Sequence, residues 1–148
     1  MTAGAARCVF CQIVVGETPA HVVLDDDDFL AFLDVRPLFP GHALLVPKAH
    51  HETLWDLPEG LEAGLARATK RLAVAVRDAM GSQGVFTATN NVVSQSVPHL
   101  HVHVVPRNRK DGLRGFFWPR TKYASEEEAA RVAAAISAAC AGSSPPAP

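Results

Sequence analysis

Apolar positions along the chain fall into two periods, and the change between them sets out the elements. In "HVVLDDDDFLAFLDV" the apolar residues come in short runs around an acidic break. This predicts a strand at Val22 and Val23, a solvated turn at Asp25 to Asp28, and a second strand over Phe29 to Leu33. The four aspartates lack the glycine and terminal glutamate that a calcium loop requires. "RPLFPGHALLVPK" predicts a Pro- and Gly-punctuated turn and a third strand from about His42 to Val46. From Pro58 the period lengthens. Leu61, Leu65, Ala68, Leu72, Val76 and Ala79 recur every three or four residues, with Arg67, Lys70, Arg71 and Arg77 between them. That is an amphipathic helix ending at Gly81.

"GVFTATN" and "HLHVHVV" then predict two more strands, and the short link Asn91 to Pro98 makes them an antiparallel pair. Near the end, Ser125 with Glu128 forms a capping box, and Ala129, Val132, Ile136 and Ala139 supply a small apolar stripe. "GSSPPAP" reads as a frayed tail. The expected fold is α+β: a five-stranded antiparallel meander sheet, a long helix packed on one face, and a C-terminal helix. One domain is expected over residues 1–141, with residues 142–148 as a disordered tail.

Bulk composition narrows the class. The chain has 148 residues, 48% hydrophobic and 20% charged, which is the balance of a globular protein. Its formal charge of −1 gives no electrostatic case for a nucleic acid polymer. "MTAGAARC" lacks the apolar core of a secretory signal, and no apolar run approaches the roughly 20 residues that span a bilayer. A cytoplasmic protein without a membrane partner is expected. Three cysteines are too few for a disulfide framework. Cys140, among alanines, reads as a buried structural thiol. Cys8 and Cys11 form a C-x-x-C pair, which alone does not separate redox from metal chemistry.

Three of the seven histidines occupy alternate positions in "PHLHVHVV": His99, His101 and His103. On a strand they share one face, with Leu100, Val102 and Val104 on the other. Alternate side chains on one face stand about 7 Å apart. Three such imidazoles would need unusual convergence to share one zinc, whose Zn–N bonds are only about 2.0–2.1 Å. Separate chemical roles suit them better, because imidazole serves as nucleophile, base or acid near neutral pH.

"QSVPHLHVHVVPR" resembles the signature of the histidine triad (HIT) family, His-φ-His-φ-His-φ-φ with φ apolar, here His99 to Val105. "FLAFLDVRPLFPGHALLVPKAHH" and "CVFCQIVVGETPA" are similar to other parts of the family pattern, so the resemblance spans roughly residues 8 to 107. It implies a nucleotidyl hydrolase or transferase acting at the α-phosphate of nucleotide conjugates, usually as a homodimer. His101 matches the nucleophile that forms a nucleotidyl-histidine intermediate. His103 matches the residue that contacts the phosphate and assists the leaving group. The backbone carbonyl of His99 would orient the nucleophile.

By the same resemblance Gln95 and Ser96, with Ser96 the better match, and Asn90 or Asn91 would contact the phosphate. The loop "NNVVSQ" departs from many relatives in being short and carrying Ser94. Asp34 would accept hydrogen bonds from the ribose hydroxyls. Val9, Phe10, Phe32 and Val35 would line the base pocket, and His42 would lie near the phosphates. Cys8, Cys11, His50 and His99 would hold a structural zinc; spacing alone leaves His51 open as a ligand in place of His50. Substrates of the class are purine nucleoside phosphoramidates and diadenosine polyphosphates. The alternatives are a dinucleoside polyphosphate phosphorylase and a nucleotide-binding regulatory module with little turnover. In the basic, aromatic segment Arg107 to Lys122, Arg114 or Arg120 is expected to grip the leaving-group side.

Overall fold

The computed structural model describes residues 8–113 and 121–142. Contacts divide the chain into two compact units, Met1–Asp111 and Gly112–Pro148. The first holds a six-residue helix α1 (Val9–Val14), strands β1 (Val22–Asp25), β2 (Phe29–Leu33) and β3 (Ala43–Pro47), helix α2 (Glu59–Met80), and strands β4 (Gly84–Ala88) and β5 (Val102–Arg107). A 3-10 turn, Leu54–Asp56, precedes α2. The second unit contains helix α3 (Glu126–Gly142).

All five strands join one antiparallel sheet. Its spatial order is β1-β2-β3-β5-β4. The first three strands meander as expected. The long helix α2 then carries the chain past the place of β5, so β4 takes the edge and β5 returns between β3 and β4. Asp26 holds the β1–β2 turn by accepting the N–H groups of Asp28 and Phe29 at 3.0 and 2.8 Å. This is a self-contained aspartate turn.

Strands β2 and β3 are buried on both faces, which explains why "FLAFL" and "ALLVP" are continuous apolar runs. Phe29, Ala31, Ala43 and Leu45 join Val102, Val104 and the Leu65, Ala68, Leu72 and Val76 stripe of α2 in one core. Leu30, Phe32, Leu44 and Val46 face the opposite way and pack with Cys8, Phe10 and Cys11. Gly64 permits the close approach of α2: a Cβ there would lie 2.9 Å from the Phe29 ring. Gly81 ends α2 at φ 59°, and the Ser82 N–H turns back to the Arg77 carbonyl at 3.0 Å.

Near the histidines two features differ from the sequence reading. Helix α1 was not expected, because six residues are too few to show a helical period. Strand β5 begins at Val102, so only His103 of the three histidines lies within it. The pairing Leu45↔Val102 ends the β3–β5 ladder. Further on, Pro47 has no N–H to give, and its carbonyl accepts from His99 Nε2 at 2.8 Å. The Leu100 N–H bonds the His51 carbonyl at 2.6 Å instead. The facial alternation survives: Leu100, Val102 and Val104 belong to the α2 core.

In α3 the capping box forms at its first bond, Glu128 N–H to Ser125 Oγ at 3.2 Å, while the Glu128 carboxylate accepts the Ala124 N–H. Cys140 is exposed rather than buried. The stripe around it is mostly alanine, which offers little surface to bury. No helix among the described residues is long and apolar enough to cross a membrane.

Candidate active site and metal centre

Helix α1 starts at Cys8, whose extended backbone caps it, so Cys8 and Cys11 stand one turn apart. Both thiols are buried and meet two imidazoles. Cys8 Sγ lies 3.4 Å from His99 Nδ1, and Cys11 Sγ lies 3.5 Å from His99 Nδ1 and 3.3 Å from His50 Nδ1. All four ligand atoms fall within 4.8 Å of one another. A tetrahedral zinc with Zn–S near 2.3 Å and Zn–N near 2.05 Å sets its S···N edges at about 3.6 Å. The cage therefore has the size of a Cys₂His₂ zinc site, and His50, not His51, points into it.

Tautomer and charge agree with a metal. The Pro47 carbonyl only accepts, so His99 Nε2 carries the proton and Nδ1 turns its lone pair to the thiols. Burial, aided by the neighbouring histidines, lowers the His99 pKa to about 4, so the ring is neutral. Burial and the adjacent Cys8 push the Cys11 thiol up to about 11. Two crowded thiols resist becoming thiolates unless a cation compensates them.

The triad continues into a cleft of about 510 Å³. Its apolar wall includes Val9, Phe10, Phe32 and Val35, and its polar wall includes Asp34, Ser96, His101 and His103. His101 is buried, with its Nδ1 2.7 Å from the His99 carbonyl oxygen. That carbonyl accepts, so Nδ1–H donates and Nε2 keeps a free lone pair. Phe10 packs edge-on against His101 with ring centroids 5.3 Å apart, which holds the imidazole plane. His101 and His103 stand 5.0 Å apart between ring centroids.

A chain of donors sets the tautomer of His103. The Leu38 N–H donates to His42 Nδ1 at 3.1 Å, so in neutral His42 the proton sits on Nε2. That N–H is 3.0 Å from His103 Nδ1 and donates to it. The His103 proton is thereby left on Nε2. Burial, reinforced by His101 and His42, lowers the His103 pKa to about 4. Burial also lowers that of His42, with Asp34 opposing. Both rings are neutral at pH 7, and His103 is a neutral donor. Asp34, His42 and His103 are close enough to hold a metal. The Leu38 N–H argues against it, because a proton on His42 Nε2 removes the lone pair a metal needs.

Asp34 is half-buried; its Oδ1 accepts the Arg36 N–H at 2.8 Å, and its Oδ2 lies 3.7 Å from His42 Nε2. Ser96 reaches the cleft, but Asn90, Asn91 and Gln95 do not line it. Asn91 Oδ1 accepts the Leu54 N–H at 2.7 Å, and Gln95 bridges the Val92 N–H at 2.8 Å to the Glu52 carbonyl at 2.6 Å. These amides hold a loop in which Val92 and Ser94 adopt φ 67° and 61°. A β-branched residue there is strained by roughly 1–3 kcal/mol. The polar residues of "NNVVSQ" around that turn were the signal for such a role. Arg36, Thr18 and Ile13 line the cleft without having been singled out from the sequence. Arg107 is paired with Asp111 through Nε and Nη2 at 2.6 and 3.1 Å. Arg114 and Arg120 lie outside the described residues. A larger open groove of about 600 Å³, between α2 and β4, has no histidine or cysteine in its lining.

The sheet, the triad and the cleft define a class, and comparison with known proteins agrees. The HIT domain family model matches residues 15–110, so the chain belongs to the HIT family. It is 35% identical over 109 residues to the adenosine 5′-monophosphoramidase HNT1 of Saccharomyces cerevisiae, covering 73% of this chain and 68% of that one. The crystal structure of a HIT family member from Bacillus subtilis superposes with a TM-score of 0.81 at 32% identity, covering 89% of this chain and 96% of that one. A zinc-bound histidine triad family protein from Mycobacterium smegmatis gives 0.70 at 36% identity, covering 93% and 99%. With relatives named as hydrolases and the triad in place, the chain is an enzyme of this family.

Proposed function

We propose that the protein hydrolyses nucleotide conjugates at the α-phosphate through a nucleotidyl-histidine intermediate on His101, with purine nucleoside phosphoramidates as the first substrate class. The observation that carries this is the bond from His101 Nδ1–H to the His99 carbonyl at 2.7 Å, which leaves Nε2 as a nucleophile in a nucleotide-sized cleft. In the first step the Nε2 lone pair forms a bond to the α-phosphorus and the P–N bond to the leaving amine breaks. The leaving nitrogen takes up a proton from solvent as it departs, and the neutral Nε2–H of His103 steadies it by donating a hydrogen bond. In the second step water attacks the phosphorus and loses its proton to solvent, and the P–His101 bond breaks to release the mononucleotide. Ser96 adds a neutral donor for the phosphate oxygens. The Asp34 carboxylate accepts from the ribose hydroxyls, and Val9, Phe10, Phe32 and Val35 enclose the base.

The four-residue cage fits a structural zinc, which would tie α1 to the segment bearing His99 and supply a compensating charge for two thiolates. A homodimer, which the family resemblance implies, completes the proposal. Light scattering should then give twice the 15.8 kDa chain mass.

A panel of adenosine and guanosine phosphoramidates, diadenosine polyphosphates and free nucleotides tests the reading, with products resolved by chromatography. Release of a mononucleotide and a free amine supports it. Tight nucleotide binding with no turnover would replace it with a regulatory binding module. Dependence on added phosphate as acceptor would replace it with a phosphorylase.

A further inference from the structure

Arg36 is the one Lys or Arg among the described residues lining the cleft. It is exposed, and among the described residues no ion pair or hydrogen bond engages its guanidinium. Its backbone is fixed, because Arg36 N–H donates to Asp34 Oδ1 at 2.8 Å. A hinged, unspent guanidinium therefore starts two residues from the carboxylate that takes the ribose. Neighbouring Val35 is 88% exposed and forms the outer rim on the base side. The phosphate end is already served by neutral donors from His103 and Ser96.

Guanidinium carries donors only, in a planar fork. A purine with a 6-keto group offers two acceptors on one edge, O6 and N7, and the fork bonds both. Adenine offers N7 beside an amino donor, which opposes the fork. We propose that Arg36 is a specificity-determining residue that makes the cleft favour 6-keto purine nucleotides, guanosine and inosine, over adenosine. The inference rests on the nucleotide reading of the cleft. At a solvent-exposed rim its effect sits toward the lower part of the range for such a paired contact, about tenfold.

The test uses the full chain and Arg36→Met, which keeps length and removes the donors. kcat/KM is measured on guanosine, inosine and adenosine 5′-phosphoramidates, and calorimetry gives Kd for GMP, IMP and AMP. The expected result is a guanosine and inosine preference of about tenfold in both readouts, falling to within about twofold in Arg36→Met. Inosine separates the two edges: if guanosine alone is preferred, the 2-amino group is being read and Arg36 is not the reader. A wild type without base preference overturns the inference, as does a variant that keeps it or loses equally on all three bases. Base preference in binding without turnover would leave this inference standing and remove the hydrolase reading instead.

Discussion

His101 Nδ1 donates to the backbone carbonyl of His99 at 2.7 Å, while the His99 side chain sits in the Cys₂His₂ cage with its own Nδ1 3.4 Å from Cys8 Sγ. One residue therefore couples the two sites. Its imidazole belongs to the cage, and its carbonyl holds the His101 ring. None of the four cage residues lines the cleft, so on the proposed mechanism a metal there would act through geometry.

This coupling predicts the effect of losing the metal. Cys8→Ser or Cys11→Ser should abolish stoichiometric zinc by elemental analysis and lower the melting temperature by roughly 10 °C, about 3 kcal/mol for a chain of this size. kcat should fall with it. His101→Asn should abolish turnover but keep full zinc content and melting temperature. Zinc retained in both cysteine variants would show that the cage does not hold the metal.

His42 touches His103 rather than the reacting atoms, so it is a positioning residue. His42→Phe removes the N–H that fixes the His103 tautomer and should lower kcat by about 30-fold, less than loss of a nucleophile. KM should change less than threefold. His42→Gln, which can still donate to His103 Nδ1, should recover part of the rate. Equal rates for the Phe and Gln variants would show that His42 only fills space.

The depressed pKa of His103, about 4, and the lowered one of His42 carry a sign for stability. Between pH 4 and the ordinary value of 6.5 the unfolded chain binds more protons at His103 than the folded one, and the lowered His42 works in the same direction. Stability therefore rises with pH through that window and is lost as pH falls through it. Urea midpoints at pH 5 and 7 should differ more for the wild type than for a His42→Asn, His103→Asn double variant. An unchanged difference would show that these rings are not held neutral by the fold.

Asp34 predicts a binding effect. A hydrogen bond to a charged group contributes about 1.5–3 kcal/mol, so Asp34→Ala should raise KM by roughly 10- to 100-fold. A 2′,3′-dideoxy substrate should show the same loss with the wild type and little further loss with Asp34→Ala. Additive losses would place the ribose elsewhere.

Much of this arrangement was legible in residue order, because period two and period 3.6 are visible wherever an element is long. "LEAGLARATKRLAVAV" declared α2, and "FLAFL" and "HALLV" declared two strands, whose burial on both faces only the structure shows. The triad showed which residues share a face. It did not show that the ladder stops before His101, since that depends on Pro47, more than fifty positions away. Spacing alone left His50 and His51 open, and the family resemblance chose His50, the one that stands in the cage. The bonds of Asn91 and Gln95 to Leu54 and Glu52 could not be read from residue order, because the partners lie about forty positions away. Arg36 carried no pattern at all. A single exposed arginine becomes informative once the cleft beneath it is seen.

The central claim is that His101 attacks phosphorus. Rapid mixing with adenosine 5′-phosphoramidate, quenching in base and peptide mass spectrometry tests it directly. The account predicts one adenylyl group on the peptide containing His99 to His103, located at His101 and absent from His101→Asn. Turnover with an adduct on His103, or turnover by His101→Asn at the wild-type rate, would contradict it.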